Sequence, residues 1–320
     1  MKLHQTLRVA VLMGGLSRER EVSLKSGKAV AAALRDAGHE VTDYDVTDPA
    51  LPGLQETRPD ACFVALHGPF GEDGTVQELL EKMGLPYTGS GPAASRLGMN
   101  KMASKRLFIR HSVPTPDYFA VDPSHSVAWA ERQAEQFGYP LVCKPAASGS
   151  SLGVSIVKDP ARLPDAIALA RDEGDVVLVE RYVRGREFTV GVLRGEGLPM
   201  IELVPSRQFF DYEAKYNDER TRYITPVSLL PTLYRKCSAA AVRAYGALGC
   251  RHMARVDMIY GYDANLYVLE LNTIPGFTPR SLLPMAAAEA GVSFPALCDR
   301  LVRAAVRDTA EKRKRRRLIA

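Results

Sequence analysis

Four side chains in the last quarter of the sequence have the types and spacing of a divalent-cation site. Arg255 and Asp257 are two apart in one apolar run, and Glu270 and Asn272 are two apart in the next. The segment Gly261-Tyr262-Asp263-Ala264-Asn265 between them has the composition of a turn. A strand alternates its side chains with a period of two, so each pair shares a face. Pairing the runs as a hairpin over 254–271 then brings Asp257, Glu270 and Asn272 together. Three hard oxygen donors suit magnesium, with phosphate oxygens completing its shell. The alternative is an ordinary polar face on strands rich in Val, Ile, Leu and Tyr.

Phosphate is also what the basic residues suggest. Lys144 ends the apolar run YPLVCKP, and Lys101 precedes it on a helix. A lysine leaving a buried strand needs an anion. The loop Ala146-Ala147-Ser148-Gly149-Ser150-Ser151-Leu152-Gly153 follows at once. Its backbone N–H groups can wrap phosphate oxygens as an anion nest, although no GxxxxGK[ST] occurs and a plain linker is the alternative. The hydrophobic run Val176 to Glu180 leads into Arg181-Tyr182-Val183 and Glu187. Backbone there can take adenine and Glu187 the ribose hydroxyls; simple surface charge is the alternative for Glu180 and Glu187.

These groups need elements to hold them. RVAVLM (8–13) reads as a buried strand, Gly14-Gly15-Leu16-Ser17 as a loop, 21–37 as an amphipathic helix stopped by Gly38, and 40–46 as a second strand. Strand, glycine loop and helix then recur at 61–66, HGPFGEDG and 75–83, which implies a parallel α/β sheet. Ligands of such sheets sit beyond the carboxyl ends of the strands, where Gly14, Glu19 and His67 would lie. The proline-punctuated stretch Val113-Pro114-Thr115-Pro116 marks a change of pattern, and a boundary is placed near residue 100. A small α+β unit with helical patterns at 125–137 and 161–172 fills 101–185. Strands at 187–193 and 199–204, a polar loop at 205–226 and helices at 235–248, 283–291 and 294–309 fill 186–310.

The whole is an ordinary globular composition, 46% hydrophobic and 25% charged over 320 residues. The net charge of +5 resides in the terminal EKRKRRRLIA, residues 311–320, so the body is neutral. That tail reads as a solvated, frayed end rather than a nucleic-acid or membrane contact. Five dispersed cysteines without a CxxC fit a reducing, cytoplasmic setting. Neither a cleavable leader nor a run long enough to span a bilayer is evident.

Eight segments in order resemble the ATP-grasp fold and, within it, the D-alanine:D-alanine ligases: GGLSREREVSLKSG (14–27), LHGPFGEDGTVQ (66–77), LPYTGSG (85–91), KPAASGSSLGVS (144–155), EFTVGVL (187–193), DYEAKY (211–216), RVDM (255–258) and ELNTIPGFTPRSLLPMAA (270–287). The resemblance implies an α/β chain with a Rossmann-like N-terminal domain (1–100), a central lid domain (101–185), a C-terminal catalytic domain (186–310) and a basic tail (311–320). It implies ATP with Lys101, Lys144 and Ser151 on its phosphates, Glu180 and Val183 near adenine and Glu187 on ribose. Two Mg2+ ions, or Mn2+, fall to Asp257, Glu270 and Asn272. Glu19 takes the ammonium of the first D-alanine, linked to Ser150 and Tyr216 in a triad, with His67 nearby. Ser281 and Leu282 receive the carboxylate of the second. Lys215 offsets phosphoryl charge, Arg255 and the N–H of Gly276 face the tetrahedral centre, and the loop 211–216 closes over the site. A homodimer is also implied. Ala146-Ala147 and Arg280 depart from the family pattern without removing a metal or phosphate ligand. The remaining alternatives are a ligase taking D-serine or D-lactate second, and a non-catalytic nucleotide-binding regulator with a nucleic-acid tail.

Overall fold

The computed structural model describes residues 5–147, 149, 153–204 and 221–319. Ser150, Ser151, Lys215, Tyr216 and the expected closing loop 211–216 therefore lie outside the described residues.

The chain begins with β1 (Arg8–Gly14), α1 (Arg20–Asp36), β2 (Glu40–Val46), β3 (Ala61–Val64) and α2 (Thr75–Lys82). β1 pairs in parallel with both β2 and β3, in the order β2-β1-β3. Val9 through Met13 are all buried, without alternation, as a central parallel strand covered on both faces requires. Next come α3 (Pro92–Met99) and α4 (Lys101–Arg110), separated at Asn100. Asn100 leaves helical geometry and its side chain accepts from Ala103 N at 3.0 Å, so Lys101 stands in the first turn of a freshly capped helix.

A four-stranded antiparallel sheet, β4-β7-β5-β6, is built from β4 (Tyr118–Val121), β5 (Leu141–Pro145), β6 (Ser155–Val157) and β7 (Val177–Arg181), with α5 (Val127–Phe137) and α6 (Leu163–Arg171) between its strands in sequence. The third sheet is again antiparallel. It contains β8 (Gly185–Leu193), β9 (Glu196–Gly197), β10 (Ile201–Val204), β11 (Arg222–Ile224), β12 (Met253–Gly261) and β13 (Leu266–Asn272) in the order β11-β10-β8-β12-β13, with β9 on β8. α7 (Pro231–Ala247) covers it, burying Cys237, Ala240, Ala241 and Ala244 against Phe188, Val190, Val256 and Val268. This is the α/β layout that the ATP-grasp resemblance implies.

The chain end returns to its beginning. α8 (Leu282–Glu289) and α9 (Phe294–Ile319) bury Leu283, Leu297 and Leu301 against Val9, Val11, Leu34 and Phe63, and the Phe63 and Phe277 rings stand 5.3 Å apart. The frayed tail expected from the charge run is not what the structure shows. α9 continues to Ile319, Lys312 Nζ lies 3.3 Å from Glu81 and Arg313 donates to Gly84 O at 2.6 Å. A helix nucleated by a buried apolar stripe extends cheaply, and Lys and Arg are good helix formers.

Candidate active site

The hairpin β12-β13 forms one wall of a cleft of about 1610 Å3, open mouth included. Arg255 faces Asn272 and Asp257 faces Glu270 across the ladder, as the spacing predicts. The register also contains a bulge that period-two reading does not supply: Asp257 pairs with Glu270 but Met258 pairs with Val268, leaving Leu269 unmatched. The consequence is a change of face. Leu266 and Val268 point into the core under α7, and without the extra residue Glu270 and Asn272 would follow them. The bulge instead turns Leu271 inward and the two polar residues to the cleft.

Asp257 is held from both sides. Thr189, on the neighbouring strand β8, donates to its Oδ1 at 2.7 Å, and the Arg255 guanidinium makes a bidentate pair, Nε to Oδ1 at 2.9 Å and Nη2 to Oδ2 at 2.8 Å. Asn272 Oδ1 accepts from Ile274 N at 2.9 Å, which fixes which end of the amide is oxygen. Asp257 Oδ1 thus accepts twice, whereas Asp257 Oδ2 and Asn272 Oδ1 each accept once in these contacts and keep a second lone pair. Among the described residues no group of three or more His, Cys, Asp or Glu is placed to hold a metal ion, so any site here needs the Asn272 amide oxygen beside the two carboxylates. Two carboxylates and one amide oxygen on one face are the donor set of a hard cation such as Mg2+ or Mn2+, so the residues fit that metal.

Beside this wall lie the lysines. Lys101 Nζ stands 3.7 Å from Glu270 Oε2, and Lys144 Nζ stands 2.7 Å from Glu180 Oε2. Glu180 is 3% exposed, so the surface-charge reading is overturned for it: its other oxygen is 2.7 Å from Lys105 Nζ. Burial works to raise the Glu180 carboxyl, but Lys144 and Lys105 outweigh it and the net is downward. Burial likewise works to lower Lys144, and Glu180 with Glu270 reverses it, so this ammonium is held more firmly protonated than a free lysine. Glu180 lines the same cleft with its carboxylate ion-paired to both lysines. Val142, Ile156, Val183, Leu203 and Leu269 form an apolar wall of the same cleft, suited to a purine ring, and Glu187 lies on it at the register position opposite Leu203.

The opposite end is built by the parallel sheet. Glu19 follows β1 and immediately precedes α1, and His67 follows β3; both line the cleft. His67 Nδ1 is 3.2 Å from Glu72 Oε1 and Nε2 is 3.1 Å from Ser26 Oγ. A carboxylate only accepts, so Nδ1 carries a ring proton, and in the neutral ring Nε2 accepts from the serine hydroxyl. Ser17 Oγ donates to His67 O at 2.7 Å and accepts from Glu19 N at 3.2 Å, tying the two loops together. Gly68, at φ +73°, is required here: a Cβ would stand 2.5 Å from Glu19 Oε2. Gly149, in the glycine-serine loop, approaches from another side but less closely, since its Cβ would meet the same oxygen at 3.3 Å.

Gly276 lines the cleft, and a Cβ on it would stand 3.3 Å from Ser281 Oγ. Ser281 caps α8 in extended geometry, its hydroxyl accepting from Thr278 N at 3.0 Å. The N–H groups of Leu282 and Leu283 belong to the first turn and have no acceptor within the helix, donors of the kind an anion can use. Sequence reasoning missed Glu72, Thr189 and Ser26 and gave Lys105 no role. Glu72 lies within HGPFGEDG and could have been weighed there; Thr189 and Ser26 carry no local signal.

Comparison with known proteins follows this geometry. Family models described as D-ala D-ala ligase N-terminus and D-ala D-ala ligase C-terminus match residues 51–90 and 107–303. A D-alanine:D-alanine ligase of Anaeromyxobacter sp. (strain Fw109-5) is 50% identical over 92% of this chain and 96% of its own length. That of Syntrophotalea carbinolica is 46% identical over 93% and 96%. The crystal structure of the Bacillus anthracis D-alanine:D-alanine ligase complexed with ATP superposes with a TM-score of 0.85 at 32% identity, covering 96% of this chain and all of that one.

Proposed function

The chain belongs to the D-alanine:D-alanine ligase family, and from that membership we propose that it joins two D-alanines at the cost of one ATP, supplying the dipeptide of a peptidoglycan precursor. The observation that carries the reading is the convergence on one cleft of a hard-oxygen face, two lysines, an apolar wall and the Glu19 and His67 loops.

ATP lies with adenine against the apolar wall near Val183 and the Glu180 backbone, its ribose on Glu187 and its phosphates on Lys101, Lys144 and Ser151. Mg2+, or Mn2+, held by Asp257, Glu270 and Asn272, supplies charge neutralisation at the phosphates. Glu19 receives the ammonium of the first D-alanine, in a triad with Ser150 and Tyr216, and His67 flanks it. A carboxylate oxygen of that D-alanine attacks the γ-phosphorus, ADP departs and an acylphosphate forms. Lys215 offsets charge on the transferring group, a positioning and electrostatic task. The second D-alanine places its carboxylate at Ser281 and Leu282. Its amine attacks the acyl carbon; Arg255 and the Gly276 N–H stabilise the oxygen of the tetrahedral centre until phosphate leaves, and an arginine there cannot lose its charge. The loop 211–216 excludes the water that would hydrolyse the acylphosphate.

A homodimer and a cytoplasmic setting belong to the same proposal. Among the described residues no helix is long and apolar enough to cross a membrane. Nothing favours a non-catalytic regulator. Incubation with ATP, MgCl2 and D-alanine should give D-alanyl-D-alanine, identified by mass, in preference to mixed products when D-serine or D-lactate competes. Predominant D-alanyl-D-serine or D-alanyl-D-lactate would reassign the second substrate.

A further inference from the structure

Lys105 is wholly buried and takes no part in the reaction just described. It follows Lys101 by one helical turn on α4, so the two share a face. Lys101 lines the cleft and Lys105 lies behind it. The Lys105 ammonium donates to Thr115 Oγ1 at 2.6 Å and Pro116 O at 3.1 Å, and stands 2.7 Å from Glu180 Oε1. Thr115 and Pro116 take two of the three ammonium protons, and Glu180 Oε1, buried without a hydrogen-bond partner of good geometry, is held by Lys105 as an ion pair. The partners are themselves fixed, since Thr115 Oγ1 donates to Val268 O at 2.8 Å and Val268 N donates to Pro114 O at 2.7 Å. Glu180 Oε2 meanwhile belongs to Lys144, at 2.7 Å. One carboxylate thus serves two ammoniums, and of the two only Lys144 reaches the cleft.

We propose that Lys105 is a positioning residue for nucleotide binding: by holding one oxygen of Glu180 it stops that carboxylate from closing on Lys144 with both, and so leaves Lys144 a net positive charge to present to a polyphosphate. The proposal rests on the ATP reading above. Without Lys105, Lys144 and Glu180 form a neutral one-to-one pair facing the phosphates. Protonation of Lys105 then becomes a condition for tight binding. Burial pushes it down to about 8, opposed by Glu180 and reinforced by the charge of Lys144. The groups facing the cluster are Glu180 on β7, Lys144 on β5, Tyr118 on β4, Asp117 just ahead of it, and Glu270 on β13 acting through Lys144. ATP affinity should therefore fall as pH rises through that value.

The test is calorimetric ATP binding together with steady-state kinetics on the full chain. Lys105→Met should raise the ATP Kd and KM about tenfold, leave the D-alanine KM unchanged and abolish the alkaline decline, because a neutral side chain has no proton to lose. In a Glu180→Gln background the same change should add little, since the carboxylate to be restrained is gone. Equal losses toward ATP and D-alanine, or an unchanged ATP Kd, would overturn the proposal. If Lys105→Met does not fold, ATP binding to the wild type between pH 7 and 9 decides, and a flat profile overturns it. A wild type that binds no ATP at all would instead remove the reading beneath.

Discussion

Around Lys144 and Asp257 the cleft is made of charges on antiparallel strands, each tied to an opposite charge at 2.7–2.8 Å. Around Glu19 and His67 it is made of loops that follow parallel strands, and hydroxyl and imidazole hydrogen bonds hold their shape. Both ends must bind charged groups, yet only one is walled by sheet. Burying an unpaired charge is costly, so a rigid, dry phosphate end requires its cations and anions to be paired in advance. On the proposed reading the Glu19 and His67 end discriminates one small amino acid from another, a task for hydrogen bonds placed by the ends of several elements. Effects on phosphoryl transfer and effects on D-alanine recognition should accordingly separate.

The widest separation should come from Glu270→Gln. Removing this carboxylate should lower kcat by about 10^3-fold or more, by the standard of a lost transition-state electrostatic contact, in a rapid-quench measurement of ADP formation. Glu19→Gln should lower kcat/KM for D-alanine by about 10^2-fold, as expected for leaving one charge of a pair without its partner, while the ATP KM holds. A shift in ATP KM of similar size would erase the distinction between the ends. A smaller effect is expected from Thr189→Val, which keeps the shape and removes the hydroxyl that donates to Asp257 Oδ1. The magnesium concentration for half-maximal rate should rise roughly tenfold, the usual effect of losing a bond to a metal ligand, whereas unchanged magnesium dependence would remove Thr189 from the site.

The junction between the two regions gives the mildest prediction, on stability alone. His252 joins them, its Nδ1 accepting from Gly89 N at 3.1 Å and its Nε2 lying 3.0 Å from Asp308 Oδ2 on α9. Burial, helped by Arg251, lowers it to about 4 against the pull of Asp308. The unfolded histidine binds its proton near 6.5, so between about 4 and 6.5 the unfolded chain holds more protons and stability falls as pH falls. The loss should reach about 3 kcal/mol by pH 4 and be absent in His252→Asn, whose side chain tolerates the φ of +60° found here. Denaturant titrations at pH 7 and pH 4.5 check it, and a variant as acid-sensitive as the parent would assign the loss elsewhere.

Much of this organisation was legible in the residues. Alternation at 255, 257, 270 and 272 gave the polar face, and the repeated strand, glycine loop and helix gave the parallel sheet. Period-two reading could not find the bulge at Leu269, because an extra residue in a strand has no composition of its own. The fate of Glu180 was equally hidden: a carboxylate ending an apolar run reads the same whether it meets solvent or two lysines arriving from distant segments. The tail misled because a charge run says nothing about the buried stripe before it in the same helix.

The division between the two ends is tested most directly by measuring ATP binding to Lys144→Met and Glu19→Gln side by side by calorimetry in magnesium. The account predicts that Lys144→Met loses ATP affinity by about 10^2-fold while Glu19→Gln binds ATP as the parent does. Equal losses in both, or loss only in Glu19→Gln, would contradict it.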